Sequence, residues 1–104
     1  MFYVVLRRHG PDFRHDLTLE QQTLWDEHAA FMDALVDDGF VVLGGPLADE
    51  VRVVLAIESE SEDAVRARLA QDPWHGSHLV IESIDGWTIR LDGRQRSAGP
   101  RRSV

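Results

Sequence analysis

A helix and a strand follow each other without a gap in residues 25–47, and this segment constrains the fold more than any other. Its first part has apolar residues three and four positions apart, which is the spacing of an amphipathic helix. Gly39 ends the helix, because glycine readily adopts the left-handed conformation that closes a last helical turn. The apolar run at 40–43 then predicts a buried strand, and the Gly-Gly-Pro sequence at 44–46 predicts a corner after it.

One polar residue interrupts the apolar side of this helix. His28 lies at the centre of the apolar arc, with Leu24 four positions before it and Met32 four positions after it. Asp26 and Asp33 fall on the opposite side, so the two sides of the helix are clearly distinguished. A titratable ring on the core side indicates either a functional group or a core histidine whose nitrogens are satisfied by hydrogen bonds.

Two capping-box patterns predict where the helices begin. Thr18 is followed three positions later by Gln21, so we expect the first helix to begin there and to run to about Asp38. Ser59 and Glu62 have the same spacing, and they open a second helix that ends near residue 70.

The remaining apolar segments predict strands. Beside the strand at 40–43, they are residues 2–8, residues 51–58, and residues 79–91 as one strand or a bent pair. Asp49 and Glu50 mark the turn between the second and third strands. We expect the second helix to bury Val65 and Leu69 against this sheet.

The order β-α-β-β-α-β is that of the ferredoxin-like α+β fold. Two helices can cover only one face of such a sheet. The first strand is nevertheless apolar on both faces, with Val4 and Leu6 on one and Tyr3 and Val5 on the other. An uncovered apolar face predicts a homodimer in which two sheets pack face to face.

Charge and composition exclude several functions. The net charge is −7 and all 18 acidic residues lie before residue 93, so nucleic-acid binding is not expected, and no apolar run is long enough for a membrane span. The chain has no cysteine and no lysine, which excludes disulfides, thiolate metal sites and lysine Schiff bases. We expect a cytoplasmic protein with one domain at 1–92 and a disordered, arginine-rich tail at 93–104.

Motifs for nucleotides and covalent catalysis do not occur. The chain has no phosphate-binding loop, no dinucleotide fingerprint and no G-x-S-x-G elbow, so we expect no cofactor and no serine nucleophile. His75 and His78 are three positions apart, which suits a metal-ligand pair on a helix, but Gly76 between them indicates a loop. We therefore interpret both, together with His9 and His15, as solvated loop histidines and predict no metal site.

Three short motifs in this order resemble those of the YCII-related family. They are His28 in WDEHAAFMDAL, Gly45-Pro46-Leu47 in LGGPL, and Asp72-Pro73-Trp74 in DPW, and the resemblance covers about residues 1–92. It implies a dimeric α/β barrel with a ferredoxin-like protomer. It also implies that the histidine and the aspartate pair in a cleft, with eliminations from halogenated aromatic catabolites as the kind of reaction. Many members carry an arginine one turn before the histidine, where this chain has Leu24 and Trp25, so an anionic substrate held by that arginine is not implied.

The resemblance makes His28 and Asp72 the candidate catalytic residues. A carboxylate bonded to one ring nitrogen would set the tautomer and leave the other nitrogen as a base near neutral pH. Around this pair we expect a small-molecule ligand to contact Gly45, Pro46, Pro73, Trp74 and Arg7. The alternatives are ordinary structural roles: a core histidine beside a helix-capping aspartate, a tight glycine corner, a core tryptophan and a surface ion pair.

These observations favour a small cofactor-independent enzyme that transfers a proton during an elimination or isomerisation. Two other classes of function remain open from the sequence. One is a binding or accessory module that holds a small ligand in the same pocket without chemistry. The other is a heme or metal protein, because other dimeric α/β barrels carry heme.

Overall fold

The computed structural model describes residues 1–94, which contain four strands and two α-helices in the predicted order. In chain order they are β1 (Phe2–Arg7), α1 (Trp25–Asp37), β2 (Val41–Pro46), β3 (Arg52–Ile57), α2 (Glu62–Leu69) and β4 (Val80–Gly86). Within these residues, neither helix has the length and apolar character needed to cross a membrane. The tail expected at 93–104 lies, from residue 95 onward, outside the described residues.

The four strands form one antiparallel sheet in the order β2-β3-β1-β4. β1 is central, and its Val4 lies opposite Leu55 of β3 and Ile84 of β4. The strands that a helix connects are not neighbours in the sheet: β3 lies between β1 and β2, and β1 lies between β3 and β4, as the split β-α-β arrangement requires. The predicted ferredoxin-like α+β protomer is therefore confirmed.

One face of the sheet and the two helices enclose the core. Val4 and Leu6 of β1 are buried there, and α1 contributes Leu35. Val65 and Leu69 of α2 are buried as predicted. Each aliphatic side chain of this size stabilises the fold by about 1.5–3 kcal/mol when it leaves water. The helices are thus held on this face by their apolar stripes.

The other side of the sheet, which we call the open face, has no helix on it. Its apolar side chains are Tyr3, Val5, Leu43, Val54, Ala56 and Trp87, and the strand register places most of them side by side. Leu43 is 61% exposed, and the ring of Trp87 contacts that of Tyr3 edge-on at 5.5 Å. The expectation that the sheet would be apolar on both faces is met within a single chain.

The first helix begins later than predicted. A short 3₁₀ turn at Leu19–Gln21 follows Thr18, whose N–H donates to Gln21 Oε1 at 3.0 Å, so half of the capping pair forms but caps only this turn. Gln22 then binds the backbone of Arg14 through both ends of its amide, which holds the turn against the preceding loop. Leu24 adopts a left-handed conformation (φ 61°), and α1 begins after it.

The second strand is longer than predicted, and the expected corner is wrong. Gly44, Gly45 and Pro46 continue β2 and lie opposite Leu55, Val54 and Val53 of β3. Neither glycine has a positive φ. Proline is tolerated because β2 is an edge strand, where a residue without an N–H need not break a ladder.

The turn itself lies at Asp49 and Glu50, as predicted. Asp49 Oδ1 accepts hydrogen bonds from the N–H groups of Val51 and Arg52, both at 2.9 Å. These bonds hold the carboxylate in its charged form, and they help to lower the pKa of Asp49 to about 2. Glu50 completes the reversal with a φ of 58°.

Two smaller boundaries also differ from the prediction. Ser61, and not Ser59, caps α2, because its Oγ accepts from the N–H of Ala64 at 3.1 Å. β4 ends at Gly86, so residues 87–91 do not extend the strand. A capping motif locates a helix start only to within one helical turn, because the hydroxyl of either neighbouring serine can accept the capping hydrogen bond.

Candidate active site

The structure brings His28 and Asp72 together although 44 positions separate them. His28 Nδ1 lies 2.9 Å from both carboxylate oxygens of Asp72. The two side chains are 12% and 6% exposed. A carboxylate only accepts, so we assign a proton to Nδ1. Nε2 forms no hydrogen bond with any residue in the described part of the chain.

Asp72 is oriented by the turn that follows α2. Its N–H donates to the carbonyl of Leu69 at 3.1 Å, which extends the helix by one bond. Its Oδ1 accepts from the backbone N–H of Trp74 at 2.9 Å, the local bond that aspartate commonly makes two residues ahead. Pro73 lies between them and ends the helical conformation. The hydrogen bonds of its own loop therefore orient the Asp72 carboxylate towards His28.

Trp74 is the buried support of this pair. Its indole is 1% exposed and lies parallel to the His28 ring, with 4.0 Å between centroids and 4° between planes. Its Nε1–H donates to the carbonyl of Thr23 at 2.8 Å. A side chain this deeply buried packs against His28 from the core side, which is the structural alternative considered from the sequence.

His78 lies on the opposite face of Trp74, and its interpretation as a solvated loop histidine is wrong. The two rings are 4.7 Å apart and 8° from parallel, and His78 is 1% exposed. Nε2 is 2.9 Å from Thr23 Oγ1, and Nδ1 is 2.8 Å from Ser77 Oγ. Burial lowers the pKa of His78, because it disfavours the charged ring.

The turn at 74–78 brings His78 back to Trp74. The His78 N–H donates to the carbonyl of Trp74 at 3.1 Å, and Gly76 allows the reversal with a φ of 78°. The loop after β1 then covers the turn: Gly10 N–H donates to His78 O at 3.1 Å, and Asp12 N–H donates to Ser77 O at 2.7 Å. A Cβ on Gly10 would lie 2.4 Å from Ser77 O, so only glycine allows this approach.

The other predicted ligand contacts lie elsewhere. Gly45 and Pro46 belong to the edge strand β2. Arg7 forms a 3.0 Å ion pair with Glu82 across β1 and β4, the structural alternative considered from the sequence. Within residues 1–94, none of these three forms a hydrogen bond, ion pair or ring contact with His28. Trp25 does lie beside His28, with 5.9 Å between ring centroids and 51° between planes.

A cleft of about 300 Å³ lies near this cluster without including the predicted residues. It is lined by Arg8, Phe13, His15, Leu17, Thr18, Leu19, Asp49, Glu50 and Val51. Phe13 links the two regions, because its ring also contacts Trp74 edge-on at 6.1 Å. Arg8 donates to the carbonyl of Glu50 at 2.9 Å, and its partial burial lowers its pKa.

The remaining histidines agree with their interpretation as exposed loop residues. His9, His15 and His75 are exposed, and His15 also borders the cleft. Among the residues that the structure describes, no three histidine, aspartate or glutamate side chains are grouped as metal ligands would be.

Sequence reasoning missed the partners that surround Trp74. Thr23, Ser77 and His78 complete the cluster, whereas the sequence predicts a helix at Thr23 and a loop at Ser77 and His78. Trp74 and His78 are four positions apart, which is the spacing of neighbours on a helix. Gly76 between them has a φ of 78° and the segment is not helical, so this spacing does not explain their contact.

Comparisons with known proteins bear on the fold. No protein-family model matches this sequence, and no curated protein matches it. Among solved structures, the chain is similar to 5-chloro-2-hydroxyhydroquinone dehydrochlorinase (TftG) from Burkholderia phenoliruptrix AC1100, in complex with 2,5-dihydroxybenzoquinone. The two chains are 20% identical with a TM-score of 0.54, over 92% of this chain and 100% of the other. At this identity the similarity supports a shared fold, in agreement with the predicted ferredoxin-like protomer.

Proposed function

We propose that this chain is a small, cofactor-independent cytoplasmic enzyme of the YCII-related type, in which His28 transfers a proton during an elimination or isomerisation. The observation that carries the proposal is the arrangement of the two ring nitrogens. Nδ1 is held by Asp72 at 2.9 Å, and Nε2 has no hydrogen-bond partner within residues 1–94. One nitrogen is thus fixed by the protein and the other is available to a substrate.

The chemistry follows from this tautomer. With a proton on Nδ1, the Nε2 lone pair can accept a proton from an acidic C–H or O–H group. The carboxylate of Asp72 stabilises the imidazolium that forms. In a dehydrochlorination, the electrons of the broken C–H bond form the new double bond, and chloride leaves the neighbouring carbon with its bonding pair. His28 then returns the proton to water.

A small aromatic or carbonyl-bearing molecule is the substrate class that fits best. The solved protein of similar fold is a dehydrochlorinase of a chlorinated hydroxyhydroquinone, which supports a lyase with this kind of substrate. Trp25 is partly exposed beside His28, and a flat ring is the natural partner for an indole.

The test is chloride release from 5-chloro-2-hydroxyhydroquinone, followed for the wild-type chain and for His28→Gln. We expect His28→Gln to lower the rate by about 10²–10⁴-fold, because general acid–base catalysis contributes that much. His75→Gln is the matched control, since His75 is exposed on a loop. Equal rates in wild type and a folded His28→Gln protein would contradict the proposal.

The open face supports a homodimer as the functional unit. It exposes Tyr3 and Leu43 beside Val5, and a second copy offers the same apolar surface with the same outline. Sedimentation velocity should give the mass of a dimer for wild type and of a monomer for Leu43→Glu. Val36→Glu is the control, because Val36 is 54% exposed on α1 and away from this face. A monomeric wild-type chain at micromolar concentration would contradict the dimer.

A second function, binding of a small ligand without chemistry, is favoured by one observation. The cleft of about 300 Å³ is lined by Phe13, Leu17 and Val51 and does not include His28 or Asp72. If the chain only binds, the probe will be recovered unchanged and its affinity will not depend on His28. Equilibrium dialysis with product analysis distinguishes this from turnover.

A further inference from the structure

Three parallel rings form the centre of the candidate site. Trp74 lies between His28, at 4.0 Å and 4°, and His78, at 4.7 Å and 8°. The two histidines have different partners: a carboxylate binds His28, whereas hydroxyl groups of Thr23 and Ser77 bind His78. The two faces of one indole therefore meet imidazole rings with different hydrogen-bond partners.

The hydrogen bonds around His78 are all satisfied when its ring is neutral. Ser77 Oγ lies 3.3 Å from the carbonyl of Pro73 and donates its proton there. It can then only accept from His78, so the ring proton is on Nδ1. Nε2 is left as an acceptor for the hydroxyl proton of Thr23 at 2.9 Å. A second ring proton would turn that acceptor into a donor and break the chain of bonds.

The charges around His78 do not reverse this preference. Asp12 on the β1–α1 loop and Asp72 after α2 favour a charged ring, and His28 on α1 disfavours it. Burial is the largest effect and keeps the ring neutral, so the pKa of His78 lies below its ordinary value.

We infer that His78 is a positioning residue for His28, which it holds in place through Trp74. The inference rests on the proposed function, because it concerns how the Nε2 edge of His28 is kept at a fixed angle. With His78 on its far face and its Nε1–H on the carbonyl of Thr23, the indole stays parallel to the His28 ring.

Thr23 and the Trp74 backbone connect the two rings with the Asp72 carboxylate. Thr23 binds the indole through its carbonyl and His78 through its hydroxyl, so one residue sets the spacing of both rings. The Trp74 N–H donates to Asp72, so a tilt of Trp74 would also move the carboxylate. Loss of the His78 ring should therefore disturb both contacts of His28 without touching either directly.

The experiment compares His78→Leu and His78→Gln with His75→Gln in the full chain. Long-range ¹H–¹⁵N spectra report which nitrogen of His28 carries the proton. We expect a single Nδ1–H tautomer in wild type and in His75→Gln, and mixed tautomers in His78→Leu. The kcat for chloride release should fall by up to about a hundredfold in His78→Leu with little change in KM. His78→Gln, which can keep both hydroxyl contacts, should recover part of the loss.

A folded His78→Leu protein with the wild-type His28 tautomer and the wild-type kcat would overturn the inference. If that variant does not fold, a pH titration of the wild-type chain decides, because the hydrogen bonds of the neutral ring require the pKa of His78 to lie below its ordinary value of 6.5. A titration midpoint of His78 at or above 6.5 would overturn the inference. The tautomer measurement needs no substrate, so loss of the His28 contact and absence of turnover are read separately.

Discussion

Aromatic residues are buried on the covered face of the sheet and exposed on the open face. On the covered face, the indole of Trp74 is 1% exposed and every ring nitrogen of His78 has a partner. On the open face, Trp87 is 44% exposed and touches only the edge of Tyr3 among aromatic rings in the described residues. Both faces are apolar in sequence. The face with helices on it is the one that also buries polar groups.

The comparison shows why the candidate site lies at one end of the core. A buried polar group is tolerated only when it is hydrogen-bonded, and the loops before α1 and after α2 supply those bonds. Asp72, His78 and Gln22 are the buried polar side chains of the described chain, and all three lie in or beside these loops. In the described residues, the open face has no such loop to supply hydrogen bonds, and its surface is an exposed apolar patch.

The largest predicted difference is between the two tryptophans. Trp74→Ala should lower the free energy of unfolding by about 3–5 kcal/mol, because it removes a large core side chain and leaves a cavity. Trp87→Ala should cost less than about 1 kcal/mol when measured in the monomeric Leu43→Glu background. Urea unfolding followed by circular dichroism measures both. Equal decreases in the free energy of unfolding would contradict the burial of Trp74 and the exposure of Trp87.

A second contrast compares a buried aspartate with an exposed one. Asp72→Asn replaces a charge-assisted bond to His28 by a neutral one and should cost about 2 kcal/mol. Asp38→Asn removes an exposed ion pair with Arg68 and should cost less than about 1 kcal/mol. Denaturant midpoints at pH 7 give both values. An Asp38 variant that is the more damaged of the two would contradict the assignment of Asp72 to the core.

Acid should weaken the covered face through His78. The pKa of His78 is lowered in the folded chain from its ordinary value of 6.5, so the unfolded chain binds more protons below that pH. The stability conferred by the neutral ring is therefore complete above pH 6.5 and is lost as the pH falls towards the folded pKa. The loss cannot exceed about 1.4 kcal/mol per pH unit for one group.

The His78→Gln variant isolates that contribution. Its unfolding free energy should vary less steeply than that of wild type between pH 6.5 and 5, because the ring that takes up the proton is absent. His75→Gln should keep the wild-type slope, since His75 is exposed. Three parallel curves would show that His78 is not the group responsible.

The smallest contrast is between neighbouring glycines of β2 that face opposite sides of the sheet. A Cβ on Gly44 would lie 2.6 Å from Cδ2 of the buried Leu55, so Gly44→Ala should cost about 1 kcal/mol. A Cβ on Gly45 meets nothing within 4 Å, so Gly45→Ala should change stability by less than about 0.5 kcal/mol in the Leu43→Glu background. Thermal unfolding resolves this difference, and equal shifts would contradict the register of β2.

Much of the fold could be predicted because it depends on local patterns. Alternation along β1 and the helical spacing of Val65 and Leu69 depend on neighbouring residues alone. The turn at Asp49 was also recognisable, since its side chain binds backbone groups two and three residues away. The helix start at Trp25 was not, because Gln22 binds the distant backbone of Arg14 and bends the chain before α1.

In the candidate site, too, local patterns predict one part and tertiary packing decides the other. The sequence by itself determined that His28 would face the core, since its position within the apolar stripe requires it. The family resemblance predicted Asp72 as its partner. Only the tertiary structure decided that Trp74 stacks on His28 and that His78 stacks on Trp74, because a loop and a close approach at Gly10 bring these rings together. Local periodicity specifies the direction of a side chain, whereas its partner depends on how separate segments pack, and that packing is set by the whole chain.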